Sequence, residues 1–214
     1  MAKEAKEAKE TKGKKLTTGA FRVSFPHVFE PQTTPSGEQR YSVVMLFPQE
    51  DEASIDALKN LAREAAYEKW GKDSIKSKKI KPQWPWRDGE EKAEQYDGYE
   101  GMIFATASSK QKPNVVRKNK KTGVLEKITD EADFYPGCYA VASVNAYAWE
   151  WKGKKGVSYG LINLMKKKDG ERFGFSSKPE DDFADQEGTE EEDYGDTESD
   201  IFGDDDDDSD DSED

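Results

Sequence analysis

The sequence predicts a mainly β domain: a small barrel of about five strands with one inserted α-helix, followed by a disordered acidic tail. Three observations predict it. Apolar and polar residues alternate in five or more separate segments between Phe21 and Met165, the period of half-buried strands. One segment alone, residues 51–70, changes to a helical period. The last 36 residues, from Pro179, hold 21 acids and no base, a composition that cannot bury a core.

The elements follow in chain order. Residues 2–10 repeat Ala-Lys-Glu without an apolar stripe, so residues 1–15 are expected to form a charged, solvated arm. Phe21, Val23 and Phe25 alternate with Arg22 and Ser24, a strand ended by Pro26 or by the turn-rich stretch from Pro31 to Gly37. Gln39 to Phe47 is a second strand with Tyr41, Val43, Met45 and Phe47 on one face. Ile55, Leu58, Leu61, Ala62 and Ala65 then form a helical stripe reaching Trp70. Asp51 and Glu52 suit the start of that helix, and Gly71 its end. Residues 72–100 read as a long excursion in which Pro82 and Pro85 oppose regular ladder bonding.

Met102 to Ala107 is the next strand, and Lys110 to Lys127 holds a basic stretch with a turn at Lys121-Thr122-Gly123. Tyr139 to Trp151 is the clearest strand of all. Its even positions are small, Ala140, Ala142, Val144, Ala146 and Ala148, while its odd positions include Tyr147, Trp149 and Trp151. Val157 to Met165 returns after a basic turn at residues 153–156. Closing these strands removes exposed edges, so an oligonucleotide-binding (OB) type of barrel is the economical arrangement; a two-sheet sandwich is the alternative. The domain is placed at residues 16–178 and the tail at 179–214.

Charge is divided sharply along the chain. Of 46 Asp and Glu, 25 precede Pro179, and all 33 Lys and Arg lie at or before Lys178. The net charge of −13 therefore divides into about +8 for residues 1–178 and −21 for the tail. A basic body suits a polyanion partner, and an acidic arm can imitate one. All 5 Trp lie in the body.

Some chemistry is missing. One His (His27) and one Cys (Cys138) leave no usual zinc pattern, and no phosphate-cradling glycine loop occurs. Neither a metal nor a cofactor is expected, and an enzyme is not. A lone Cys forms no intrachain disulfide, and no apolar run could cross a bilayer. The chain therefore reads as a soluble protein without export signals, with no membrane partner.

Other chemistry is present. Nonspecific single-strand binding needs cations that follow phosphates and flat rings that stack on bases. Trp84 and Trp86 stand between Lys81 and Arg87; Tyr147, Trp149 and Trp151 share a strand face near Lys154; Lys110, Lys112, Arg117 and Lys118 surround the start of another hairpin and are expected to line one phosphate groove. Each aromatic has two readings, core packing or base stacking, and sequence leaves them open. In the tail, Ile201 and Phe202 form an apolar hook within an acid field, suited to a partner's pocket with a basic rim.

Three stretches resemble the phage single-stranded-DNA-binding family: Ser108-Ser109-Lys110-Gln111-Lys112-Pro113-Asn114-Val115-Val116, Tyr135-Pro136-Gly137-Cys138-Tyr139-Ala140-Val141, and Lys155-Gly156-Val157-Ser158-Tyr159-Gly160-Leu161. The resemblance spans about residues 16–178, with the tail alike in character. It implies an OB barrel with an acidic tail and sequence-independent binding of single strands in viral DNA replication, recombination and repair, inside the cytoplasm of a bacterial host. It also implies tail contacts with replication proteins such as a polymerase, helicase or nuclease. Lys110 and Lys112 carry over as DNA contacts. The tail departs from bacterial relatives in that twelve residues follow Ile201-Phe202. RNA is a second candidate ligand, and oligomerisation stays open. The rival readings are an acidic chaperone for basic proteins and a metal-dependent nuclease.

Overall fold

Alternation divides each strand into two faces, and the computed structural model, which describes residues 14–35 and 37–173, shows which face turns inward. In chain order the elements are β1 (Leu16–Thr17), β2 (Phe21–Thr33), β3 (Gln39–Pro48), α1 (Glu52–Trp70), α2 (Lys72–Lys76), β4 (Trp86–Asp88), β5 (Met102–Ser109), β6 (Asn114–Lys118), β7 (Leu125–Lys127), β8 (Tyr139–Trp151) and β9 (Lys154–Lys168).

Five strands close into a ring. β2 pairs with β3, β3 with β5, β5 with β9, β9 with β8, and β8 returns to β2. Numbered within the barrel, the order is 1-2-3-5-4-1 with a parallel join between the third and fifth strands. This is the OB fold, with α1 between its second and third strands. The ring is unevenly sealed. β8 and β9 pair along their whole length, whereas β5 and β9 share two residue pairs, Ala107↔Tyr159 and Ser108↔Gly160.

Residues 83–88 fill the opening below that short join. Gln83 bridges to Gly156, with Val157 N donating to Gln83 O (2.9 Å). Trp86 to Asp88 then pair antiparallel with Ala105 to Ile103. The expectation that the prolines keep this stretch off the ladder is corrected here. Pro85 sits before the three-residue strand rather than within it, so its missing N–H costs no ladder bond.

β2 likewise continues past Pro26, as far as Thr33. The register slips between Ser24 and His27 and again before Gln32, and Phe25 takes φ +43°. A bulge thus carries the strand past a residue that cannot donate.

The core comes from the small or aliphatic face of each strand. Val43, Met45 and Phe47 point in from β3, and Ala140, Ala142 and Val144 from β8. Ile55, Leu58, Leu61, Ala62 and Ala66 bring the stripe of α1 to the same core. Asp51 caps that helix, its carboxylate accepting from Ser54 N at 3.2 Å. Gly71 ends it at φ +82°, a conformation that favours glycine. The Tyr159 hydroxyl, fully buried, donates to Leu58 O at 2.9 Å and ties barrel to helix; burial pushes its phenol pKa far up.

A second, smaller cluster lies outside the ring. Leu46, Phe104 and Tyr99 are buried there, with Phe25, Val44, Tyr96 and Phe173 packed around them. Tyr99 O–H and Ser24 O–H share a hydrogen bond of 3.1 Å. The segment around residues 89–101 thus covers part of the outer face of β3 and β5. No helix among the described residues is long and apolar enough to cross a membrane. The N-terminal repeat as far as residue 13, the acidic tail, and Ile201 and Phe202 lie outside the described residues.

Candidate nucleic-acid interface

β8 has its small face inward, which leaves its large face outward. Ala140, Ala142, Val144 and Ala146 are buried, while Tyr147 and Trp149 are half-buried on the other side and Trp151 is 62% exposed. The two readings of these aromatics are thereby separated. None of the three sits in the barrel core; all three stand on its outer wall or at the tip of the β8–β9 hairpin.

Trp149 is held flat. Its indole N–H donates to Ser158 Oγ at 2.9 Å, and its cross-strand partner is Gly156. A Cβ built on Gly156 would lie 2.3 Å from Trp149 Cζ2, so glycine there provides the space that the ring occupies. Around it lies an open depression of about 540 Å³ whose lining includes Trp84, Arg87, Lys92, Phe104, Thr106 and Ser158. Trp84 stacks on Trp86, with centroids 4.9 Å apart and planes at 22°. Both rings are half-buried against the core. Arg87 and Asp88 are exposed.

At the hairpin tip, Lys152 Nζ stands 4.5 Å over the Trp151 ring, and Lys154 pairs with Trp151 across the strands. This tip is braced from behind. Glu150 Oε1 accepts from Trp70 Nε1 at 2.5 Å and from Lys155 Nζ at 3.3 Å. The Trp70 and Lys155 hydrogen bonds hold the Glu150 carboxyl below its ordinary range.

A second group gathers at the β2–β3 turn. Glu38 accepts from Lys110 Nζ at 3.0 Å and from Arg40 Nη2 at 2.8 Å. Its carboxyl is lowered by Lys110 first and then by Arg40. Arg40 also interacts with Tyr147; burial works against its charge, but Glu38 and Tyr147 outweigh that. Lys112 is exposed on the loop between β5 and β6.

Of the expected groove of Lys110, Lys112, Arg117 and Lys118, the fold sets Arg117 and Lys118 apart from the aromatics. β6 pairs with the far end of β9, Arg117 facing Lys166, whereas the aromatics flank Ser158. Those points are eight residues apart on β9, about 26 Å of strand. Arg117 is moreover engaged with Glu126 and Asp133, each at 3.2 Å.

Sequence reading missed Lys92, Phe104, Thr106 and Ser158 as lining residues, and Arg40 as the neighbour of Tyr147. Lys92 and Arg40 are isolated cations in polar stretches, and only the closed ring brings Lys92 beside Trp84 and Trp149 and Arg40 beside Tyr147. Cys138 is buried, and burial raises its thiol pKa. Among the described residues no group of three or more His, Cys, Asp and Glu is placed to hold a metal ion.

With that geometry in place, comparison with known proteins adds sequence relatives. A family model described as the Enterobacter phage Enc34 ssDNA-binding protein matches residues 14–194. Protein p50 of Acyrthosiphon pisum secondary endosymbiont phage 1 is 31% identical over 167 residues, covering 74% of this chain and 86% of p50. Among solved structures, the single-stranded DNA-binding protein from bacteriophage Enc34 in complex with ssDNA is similar with a TM-score of 0.59 at 23% identity. That match covers 75% of this chain and 89% of the other. The match to gp2.5, a single-stranded DNA binding protein encoded by bacteriophage T7, has a TM-score of 0.50 at 16% identity over 83% of this chain and 96% of that one. At these identities the structural likeness is one of fold.

Proposed function

The chain belongs to the family of the Enterobacter phage Enc34 ssDNA-binding protein, and from that premise we propose that it binds single-stranded DNA without sequence preference, by stacking bases and neutralising phosphates. One observation carries the reading. Trp84, Trp149, Arg87 and Lys92 converge on one open depression, and Trp151 with Lys152 and Lys154 extends it at the hairpin tip. Flat rings beside mobile cations are what a sequence-tolerant single-strand site requires. Tyr147 and Arg40, with Lys110, continue the same chemistry toward the β2–β3 turn, and Lys112 stands on the next loop.

The roles in replication, recombination and repair of phage DNA, in the cytoplasm of the host, are part of the same proposal. So is the tail. Residues 179–214 carry 21 acids and no base, and such a segment competes with phosphate for a cationic groove. When DNA displaces it, the tail with Ile201 and Phe202 becomes free to meet replication proteins. RNA remains an alternative ligand because ring stacking accepts either sugar.

The test is a fluorescence titration with oligo-dT at several salt concentrations, with duplex as the control. Tryptophan quenching is expected, with a log–log salt slope of about −0.7 per phosphate contact. Deleting residues 179–214 is expected to tighten binding. Binding of histone-like proteins without quenching by oligo-dT would favour a chaperone, and magnesium-stimulated cleavage a nuclease.

A further inference from the structure

Far from the tryptophans, the β6–β7 hairpin and the end of β9 form a second cationic surface. A shallow hollow of about 580 Å³ is lined there by Lys118, Lys120, Lys121, Lys166 and Lys167, with Asn119 and Met165 among its other walls. Among the described residues, no aromatic side chain lines it.

The acids near this surface are already engaged. Glu126 holds Arg117 at 3.2 Å and accepts from Asn119 Nδ2 at 2.6 Å. Asp133 takes Arg117 at 3.2 Å, and Asp169 takes Lys166 at 2.7 Å. These three carboxylates thus meet Arg117 and Lys166. Among the described residues, no ion pair within 4 Å involves Lys118, Lys120, Lys121 or Lys167.

The hairpin backbone is also fixed. Asn119 Oδ1 accepts from Lys121 N at 2.9 Å and Thr122 N at 3.1 Å, and Gly123 turns the chain at φ +73°. The lysines therefore project from a shaped turn, and Lys118 follows the residue that faces Lys166 on the adjoining strand.

We propose that the DNA footprint has two chemically different parts: a stacking part at Trp84, Trp149 and Trp151, and a phosphate-only part at Lys118, Lys120, Lys121 and Lys167. This rests on the single-strand reading above and extends it. The two parts are separated by about 26 Å of β9. A short strand fills the first part alone; a longer one continues past the β5–β6 loop, where Lys112 is exposed, and reaches the second. The second part reads backbone charge and nothing of the bases, since it offers no ring to stack on.

The experiment uses the full chain and two probes, oligo-dT of about 4 and about 16 nucleotides, near the limits of an OB fold's site size. Affinity and quenching are read against salt. The variant Lys118→Ala/Lys120→Ala/Lys121→Ala is expected to leave binding of the short strand and the quenching amplitude of both strands unchanged. Its salt slope for the long strand should be shallower by about 2, the effect of three lost contacts at about 0.7 each. The arginine triple, Lys118→Arg/Lys120→Arg/Lys121→Arg, is expected to restore the slope.

In the unmodified protein, acetylation of Lys118, Lys120, Lys121 and Lys167 should be blocked by the long strand and not by the short one. An unchanged long-strand slope, an equal loss for both strands, or the absence of protection overturns the two-part footprint while leaving the stacking site standing. If neither strand quenches the unmodified protein, the single-strand reading itself falls and the footprint with it.

Discussion

Glu38, on the β2–β3 turn, holds Lys110 of the β5–β6 loop at 3.0 Å, and the same carboxylate grips Arg40 at 2.8 Å. Two cations proposed to meet phosphate are thus paired with an internal anion before any ligand arrives. Glu38→Gln is expected to tighten binding of oligo-dT and to steepen the salt slope by about 0.7 for each cation released. The pH dependence follows from the sign of the shift. Lys110 and Arg40 lower the Glu38 carboxyl, so the pairing is present at neutral pH and lost only as pH falls through that lowered value. The ratio of variant to wild-type affinity should accordingly stay constant between about pH 8 and pH 5 and approach unity in stronger acid. A titration series from about pH 8 down into that stronger acid checks both points.

The tryptophans should divide by what they touch. Trp151 is 62% exposed, so Trp151→Ala should leave the melting temperature in place while weakening binding by about 1–3 kcal/mol. Trp86 packs against the core and under Trp84. Trp86→Ala should lower thermal stability by up to about 3 kcal/mol and disturb Trp84 as well. Calorimetry beside the titration separates the two effects.

Gly156→Ala should act on binding through Trp149. The new Cβ would lie 2.3 Å from Cζ2, so the ring must tilt away and lose its 2.9 Å bond to Ser158. A shift in tryptophan emission without DNA, with weaker quenching by oligo-dT, is the expected outcome. Ser158→Ala, which removes the bond and adds no bulk, should give a smaller change in the same direction.

Tyr159→Phe should affect stability and spare the site. It deletes the buried bond to Leu58 O, but that carbonyl lies inside α1 and keeps its helical ladder bond, so the loss is about 0.5–1.5 kcal/mol. For a domain of this size each kcal/mol corresponds to roughly 2–4 °C in melting temperature. DNA binding, measured well below the transition, should be unchanged.

Much of this architecture was legible from local periodicity. The helix from Glu52 to Trp70, with its cap and its stop, and the strand from Tyr139 to Trp151 lie where alternation and Gly71 put them. Barrel closure was reached by economy, since nothing local says that β8 returns to β2. The side occupied by Tyr147 and Trp149 was not legible either. Alternation divides a strand into two faces but does not say which one turns inward, and here α1 and β3 supply the partners that claim the small residues. Leu46 was missed for a related reason: it is buried on the outer face of β3 by Tyr99 and Phe104, residues more than 50 positions away. Arg117 was read as a phosphate contact without its acids, because Glu126 and Asp133 become its neighbours only when the chain folds.

The stretch from Gln83 to Asp88 caulks the barrel where two strands part company, and the same stretch offers the Trp84 ring to solvent. Structural and recognition duties are fused in six residues. Any change there that retunes ligand preference also strains the wall, so variants with altered taste for nucleic acid should arise more readily at Trp151, where the chain is free of that second obligation.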